Sequence, residues 1–122
     1  LCSLLLSSCA TDNNDRDLFA LRDHFEANGI KITKVHPLIA EAARADSALA
    51  LEIEGREIGI YKYDLTKKAQ KKRLAQAVDH GFLGIAGKKF ESDNFAVNGS
   101  FVMIDYKDNP KGEKLKEIFD SF

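Results

Sequence analysis

A chain of 122 residues has room for one domain and not for two. Its composition, 44% hydrophobic and 30% charged, is that of an ordinary globular domain, and a formal net charge of −1 gives no electrostatic footprint for nucleic acid. Its two cysteines, Cys2 and Cys9, both precede the part of the chain that reads as folded, so that part has no disulfide, no cysteine nucleophile and no thiolate metal ligand.

The chain opens Leu1-Cys2-Ser3-Leu4-Leu5-Leu6-Ser7-Ser8-Cys9-Ala10, an apolar run followed by two small residues and a cysteine. Leu6-Ser7-Ser8-Cys9 resembles the lipobox of bacterial lipoproteins. That resemblance implies a lipid on the Cys9 thiol and cleavage just before it, with residues 1–8 as the signal peptide. The run starts without Met or a basic residue and is shorter than a bilayer span, so the reading expects a truncated signal. An ordinary secretory signal cut near Ser7-Ser8-Cys9-Ala10 is the blander alternative. The resemblance also implies a lipid-anchored place in the cell envelope, on the periplasmic or outer surface, with no cofactor besides the covalent lipid. Thr11-Asp12-Asn13-Asn14-Asp15 has no apolar residue. Residues 9–16 therefore read as the anchor cysteine and a flexible polar tether that holds the domain, residues 17–122, clear of the bilayer.

Asp15 or Asp17 suits the cap of a first helix, whose apolar stripe is Leu18, Leu21 and Phe25 and whose stop is Asn28-Gly29. Ile30, Ile32 and Val35 suggest an edge strand or an extended link. Pro37 then starts a short helix over residues 37–45, with Leu38, Ile39 and Ala42 facing inward. Leu49, Leu51 and Ile53 alternate with polar or small residues, as do Ile58 and Ile60 after Gly55-Arg56, which is the pattern of a hairpin with one wet face.

Asp64 or Thr66 is placed to cap a helix that runs to His80 and ends at Gly81, with a thin stripe of Leu74, Ala77 and Val78. Residues 82–90, interrupted by Gly84 and Gly87, read as a loop with a short strand or turn. Asn98-Gly99 between Phe95-Ala96-Val97 and Phe101-Val102-Met103-Ile104 signals a second hairpin turned on those two residues. Asn109-Pro110 opens a last helix with Leu115, Ile118, Phe119 and Phe122 on one face. The order predicts an α+β fold, a mainly antiparallel sheet from two hairpins covered by helices on one face. Residues 99–122, with their strand, Asn-Pro break and Lys/Glu-rich helix, are also loosely similar to the ends of small uncharacterised bacterial lipoproteins, a likeness that implies no activity.

Chemistry is sparse. His24, His36 and His80 form no paired ligand motif, so no metal site is expected. Glu52, Glu54 and Glu57 fall at the wet face or tip of the first hairpin and suggest no acid–base pair. Ser100 carries no nucleophile motif, and Gly84, Gly87 and Lys88 do not match a phosphate loop. Tyr61, Tyr63 and Tyr106 near strand ends define a candidate recognition patch if they share an open face; packing at the sheet edge is the alternative. Lys67, Lys68, Lys71 and Lys72 share a helix side and define a candidate membrane-facing basic patch, the alternative being a solvated face.

The function expected is a membrane-anchored, extracytoplasmic, non-enzymatic module that binds a protein, peptide or envelope component, with membrane lipid as a second partner and no nucleic acid. The alternatives are an enzyme or small-ligand carrier with a site built from distant groups such as Tyr61, Tyr63, His80 and Tyr106, and an inhibitory or structural envelope lipoprotein.

Overall fold

Alternation in the middle of the chain produces a hairpin, β2 (Ser47–Ile53) and β3 (Arg56–Lys62), and the rest of the fold is laid against it. A computed structural model describes residues 13–122; the signal-like segment and Cys9 lie outside the described residues. The edge strand β1 (Lys34–Pro37) pairs with β2, and a second hairpin, β6 (Phe95–Asn98) and β7 (Phe101–Ile104), pairs through β7 with β3. The result is a five-stranded antiparallel sheet in the order β1-β2-β3-β7-β6. Pro37 is admissible because β1 is an edge, where a missing N–H need not break a ladder.

One face of the sheet carries Leu49, Leu51, Ile53, Ile58, Ile60, Phe101 and Met103. On it lie α1 (Leu18–Ala27) and α3 (Gly112–Asp120), which contribute Leu18, Leu21, Phe25, Leu115, Ile118 and Phe119. Each fully buried aliphatic stabilises the fold by roughly 1.5–3 kcal/mol before entropy is counted. Asp17 caps α1, its carboxylate accepting from the Ala20 amide at 2.9 Å. His24 of α1 brings its Nε2 to 3.0 Å from the Ile118 carbonyl and 2.9 Å from Ser121 Oγ, joining the two helices at the end of α3.

The other face is covered too, beyond what the pattern of one wet face implies. There α2 (Lys68–His80) supplies Leu74 and Ala77, and a separate two-stranded sheet, β4 (Phe82–Ile85) with β5 (Lys88–Glu91), supplies Leu83, Ile85 and Phe90. They pack on Ala48, Tyr61, Tyr63, Phe95, Val102 and Ile104. Residues 82–90 are thus a hairpin rather than a loop. Ala86 (φ 51°) and Gly87 (φ 83°) both take left-handed backbone angles, as a two-residue turn of type I′ requires. The thin stripe of α2 suffices because this hairpin completes the cover.

Two further details depart from expectation. The short helix is a 3₁₀ turn over Ala40–Ala43, and Ile39 is 76% exposed rather than inward. In the second hairpin Asn98 pairs with Phe101, so the turn residues are Gly99 and Ser100, with positive φ at Gly99 alone. Asn98 is held in the ladder, and its side-chain amide donates to the Phe119 carbonyl at 2.9 Å.

Candidate functional site

The most elaborate polar arrangement lies where β3 ends and the second hairpin turns. Asn13 is 3% exposed. Its Nδ2 donates to the Asn98 carbonyl at 3.1 Å, and its Oδ1 accepts from the Ser100 amide at 2.9 Å and from Ser100 Oγ at 3.0 Å. Asn14 Oδ1 accepts from the Leu65 amide at 2.8 Å and from Lys62 Nζ at 3.1 Å, while its Nδ2 donates to Asp64 at 3.4 Å. Arg16 donates to the Phe122 carbonyl at 2.7 Å and stacks over the Phe122 ring. Asn13 and Asn14 are therefore bolted to the domain, and the flexible tether read from sequence does not extend to them. Sequence gives no warning, because the partners of Asn13 lie 85 and 87 residues away.

Lys62 is the buried cation of this cluster, 9% exposed. Its Nζ donates to the Tyr63 carbonyl at 2.8 Å and to Ser100 Oγ at 2.9 Å, besides Asn14. A lysine beside a serine is one route to an activated nucleophile. Here the ammonium spends its three donors on three acceptors, and Ser100 is fully buried. The pair is arranged to fasten, with Ser100 bridging Lys62 to Asn13.

Beside this latch begins the basic helix. Lys67 pairs with Asp46 at 2.8 Å, and Gln70 donates to the same carboxylate at 3.0 Å. Both hold the Asp46 carboxyl below the usual carboxylate range, Lys67 more strongly. Asp64, capping the turn through the side chain and amide of Thr66, is likewise lowered. Asp64 thus orders the approach to α2, and no side chain caps the helix itself.

Lys68, Lys71 and Lys72 are exposed and form no ion pair among the described residues. On the flank of α2 an open groove of about 340 Å³ is lined by Arg44, Ala69, Gln70, Lys72, Arg73 and Gln76, three cations and no carboxylate. Arg44 is aimed there by a left-handed backbone turn (φ 56°) that ends the 3₁₀ segment. Arg73 is partly withdrawn, donating to the Gly84 carbonyl at 2.7 Å.

The tyrosine patch is corrected by the structure. Tyr61 and Tyr63 are buried in the core under α2, and Tyr106 in the core under α1 and α3. The face expected to be open is the one that α2 and the β4–β5 hairpin cover. Tyr63 donates to the Ala43 carbonyl at 2.6 Å, and burial pushes its hydroxyl up to about 12. Burial also raises Tyr61 and Tyr106 above 10.0. Because all three are raised in the folded chain, their contribution is complete below pH 10 and is lost as pH climbs through the raised values. Alkaline titration followed by phenolate absorbance should find no native tyrosine ionising at 10, with unfolding setting in between there and about 12. One ring titrating normally in the native state would place it outside the cores.

The remaining candidates are scattered. His80 is exposed at the end of α2, stacked on Phe82, and is not brought together with the three tyrosines. His36 pairs with Glu57 across the sheet, a contact that raises the imidazole above 6.5 and that sequence spacing did not suggest. Among the described residues no group of three or more His, Cys, Asp or Glu is arranged to hold a metal ion, and no helix is long and apolar enough to cross a membrane. No family model matches the chain, and no curated protein or solved structure matches it.

Proposed function

We propose that the protein is a membrane-anchored, extracytoplasmic lipoprotein whose domain is a non-enzymatic interaction module for a protein, peptide or envelope component, held by a lipid at Cys9. The observation that carries this reading is the sequence Leu6-Ser7-Ser8-Cys9, placed four residues ahead of the point where Asn13 is bonded into the domain. A body without cysteine, standing on two packed cores, suits a compartment where thiols are oxidised. The non-enzymatic part of the reading is supported by the engaged state of the Lys62–Ser100 pair and by the dispersal of Tyr61, Tyr63, His80 and Tyr106.

The test is capture from solubilised membranes with the anchored full chain. One reproducible partner, retained by the wild-type chain and lost when the domain is unfolded, is the expected result. Recovery of nothing beyond what an unrelated lipoprotein retains would remove the interaction reading.

A further inference from the structure

The latch fixes which end of the domain the anchor holds, and that end carries the basic start of α2. Asn13 is only the fourth residue after Cys9, so in any conformation their Cα atoms lie within about 14 Å. Asn14 is bonded to Asp64 and Leu65, and α2 begins three residues after Leu65. Lys68 is therefore at most about 11 Å along the chain from that bond. Lys71 and Lys72 follow about 5–6 Å further up the helix.

Each step taken singly is within about two screening lengths of physiological salt, 8–10 Å, and the whole path from Cys9 to the lysines is about 30 Å at full stretch. Of the acids beside the start of α2, Asp46 is paired with the Lys67 cation, while Asp64, held by the neutral Thr66 and Asn14, keeps its negative charge. Between Lys67 and Gln76 the helix has no carboxylate, and Arg44 extends the positive surface across the groove. Asp64, the exposed Asp15 and, in sequence, Asp12 between Cys9 and Asn13 are acids at this end that work against the attraction.

We propose that the first turns of α2, through Lys68, Lys71 and Lys72 with Arg44 beside them, rest on the anionic headgroups of the membrane that holds Cys9. The proposal rests on the lipid-anchor reading and deepens it. The domain lies down on the bilayer by its α2 end and exposes the opposite end, where β3 begins and Lys34 pairs across to Glu52. Each lysine near an anionic surface favours it roughly fivefold, so three together favour the docked orientation by about a hundredfold.

The experiment attaches the anchor chemically, so that its outcome is separate from whether cells lipidate Cys9. The full chain carrying Cys2→Ser is coupled through Cys9 to maleimide-bearing lipid in vesicles of phosphatidylcholine alone, or of phosphatidylcholine with phosphatidylglycerol. A water-soluble acetylating reagent then reports each lysine by mass spectrometry. On the anionic vesicles acetylation of Lys68, Lys71 and Lys72 should fall at least about threefold relative to Lys34, and high salt should restore it. Equal labelling on both vesicles, or protection that survives high salt, would overturn the proposal. Absence of lipid on Cys9 in cells would instead remove the anchor reading, whatever the vesicles show.

Discussion

Replacing Asn13 with alanine is expected to cost roughly 2–4 kcal/mol of stability, seen as a lower urea midpoint at unchanged slope. The substitution removes a buried amide and strips partners from the Asn98 carbonyl and the Ser100 amide and hydroxyl. A buried group left without its partner costs about 1–3 kcal/mol, and more than one is left here. Lys62 is drawn in as well, because Ser100 Oγ is one of its acceptors. Asp15→Ala, two residues along and exposed, should change stability by no more than about 0.5 kcal/mol. If the two substitutions behave alike, the segment is a tether and the latch is not formed in solution.

Gly112→Ala should destabilise by about 3 kcal/mol, although helix propensity alone argues the other way. Gly112 is the first residue of α3, where alanine is preferred by about 1 kcal/mol in an unhindered helix. A Cβ built there meets the Tyr106 carbonyl oxygen at 2.5 Å, a backbone atom that cannot swing aside. Overpacking of that kind costs 1–3 kcal/mol or more, and α3 would have to move off a core that includes Leu115, Ile118 and Phe119. Gly84→Ala provides the contrast, since a Cβ at Gly84 meets nothing within 4 Å and the strand gains a side chain. Thermal midpoints of the two variants should therefore move in opposite directions, or Gly84→Ala should stay near the wild type. A Gly112→Ala protein as stable as the wild type would show that α3 docks differently.

Local patterns specified much of the fold. Leu49 to Ile53 and Ile58 to Ile60 put their aliphatics on one face, and Leu18, Leu21 and Phe25 and the Leu115–Phe119 stripe cover it as periodicity requires. The second layer was harder to read because no element in it is strongly patterned. Its cover comes from the sparse stripe of α2 and from a hairpin whose turn uses Ala86, a residue that does not advertise positive φ. That concealed layer is also why the tyrosines were legible as aromatic groups near strand ends but not as core. The turn at Gly99 was displaced by one residue because Asn98 serves a long-range bond to α3. The latch was invisible for the same reason, its two asparagines looking like any polar linker until Lys62 and Ser100 are brought beside them. The basic run could be read as charge, but only the latch gives it a place relative to the end of the chain that leads to Cys9.

The measurement that bears most directly on the anchored reading is metabolic labelling with a radiolabelled or clickable fatty acid in a bacterial host, comparing the wild-type chain, carried on a functional signal region, with Cys9→Ser. Label should enter the wild-type protein, survive denaturing extraction, and be absent from Cys9→Ser, with Cys2→Ser indistinguishable from wild type. Label that persists in Cys9→Ser, or that never enters the wild type, would contradict the lipid anchor and with it the orientation inferred for α2.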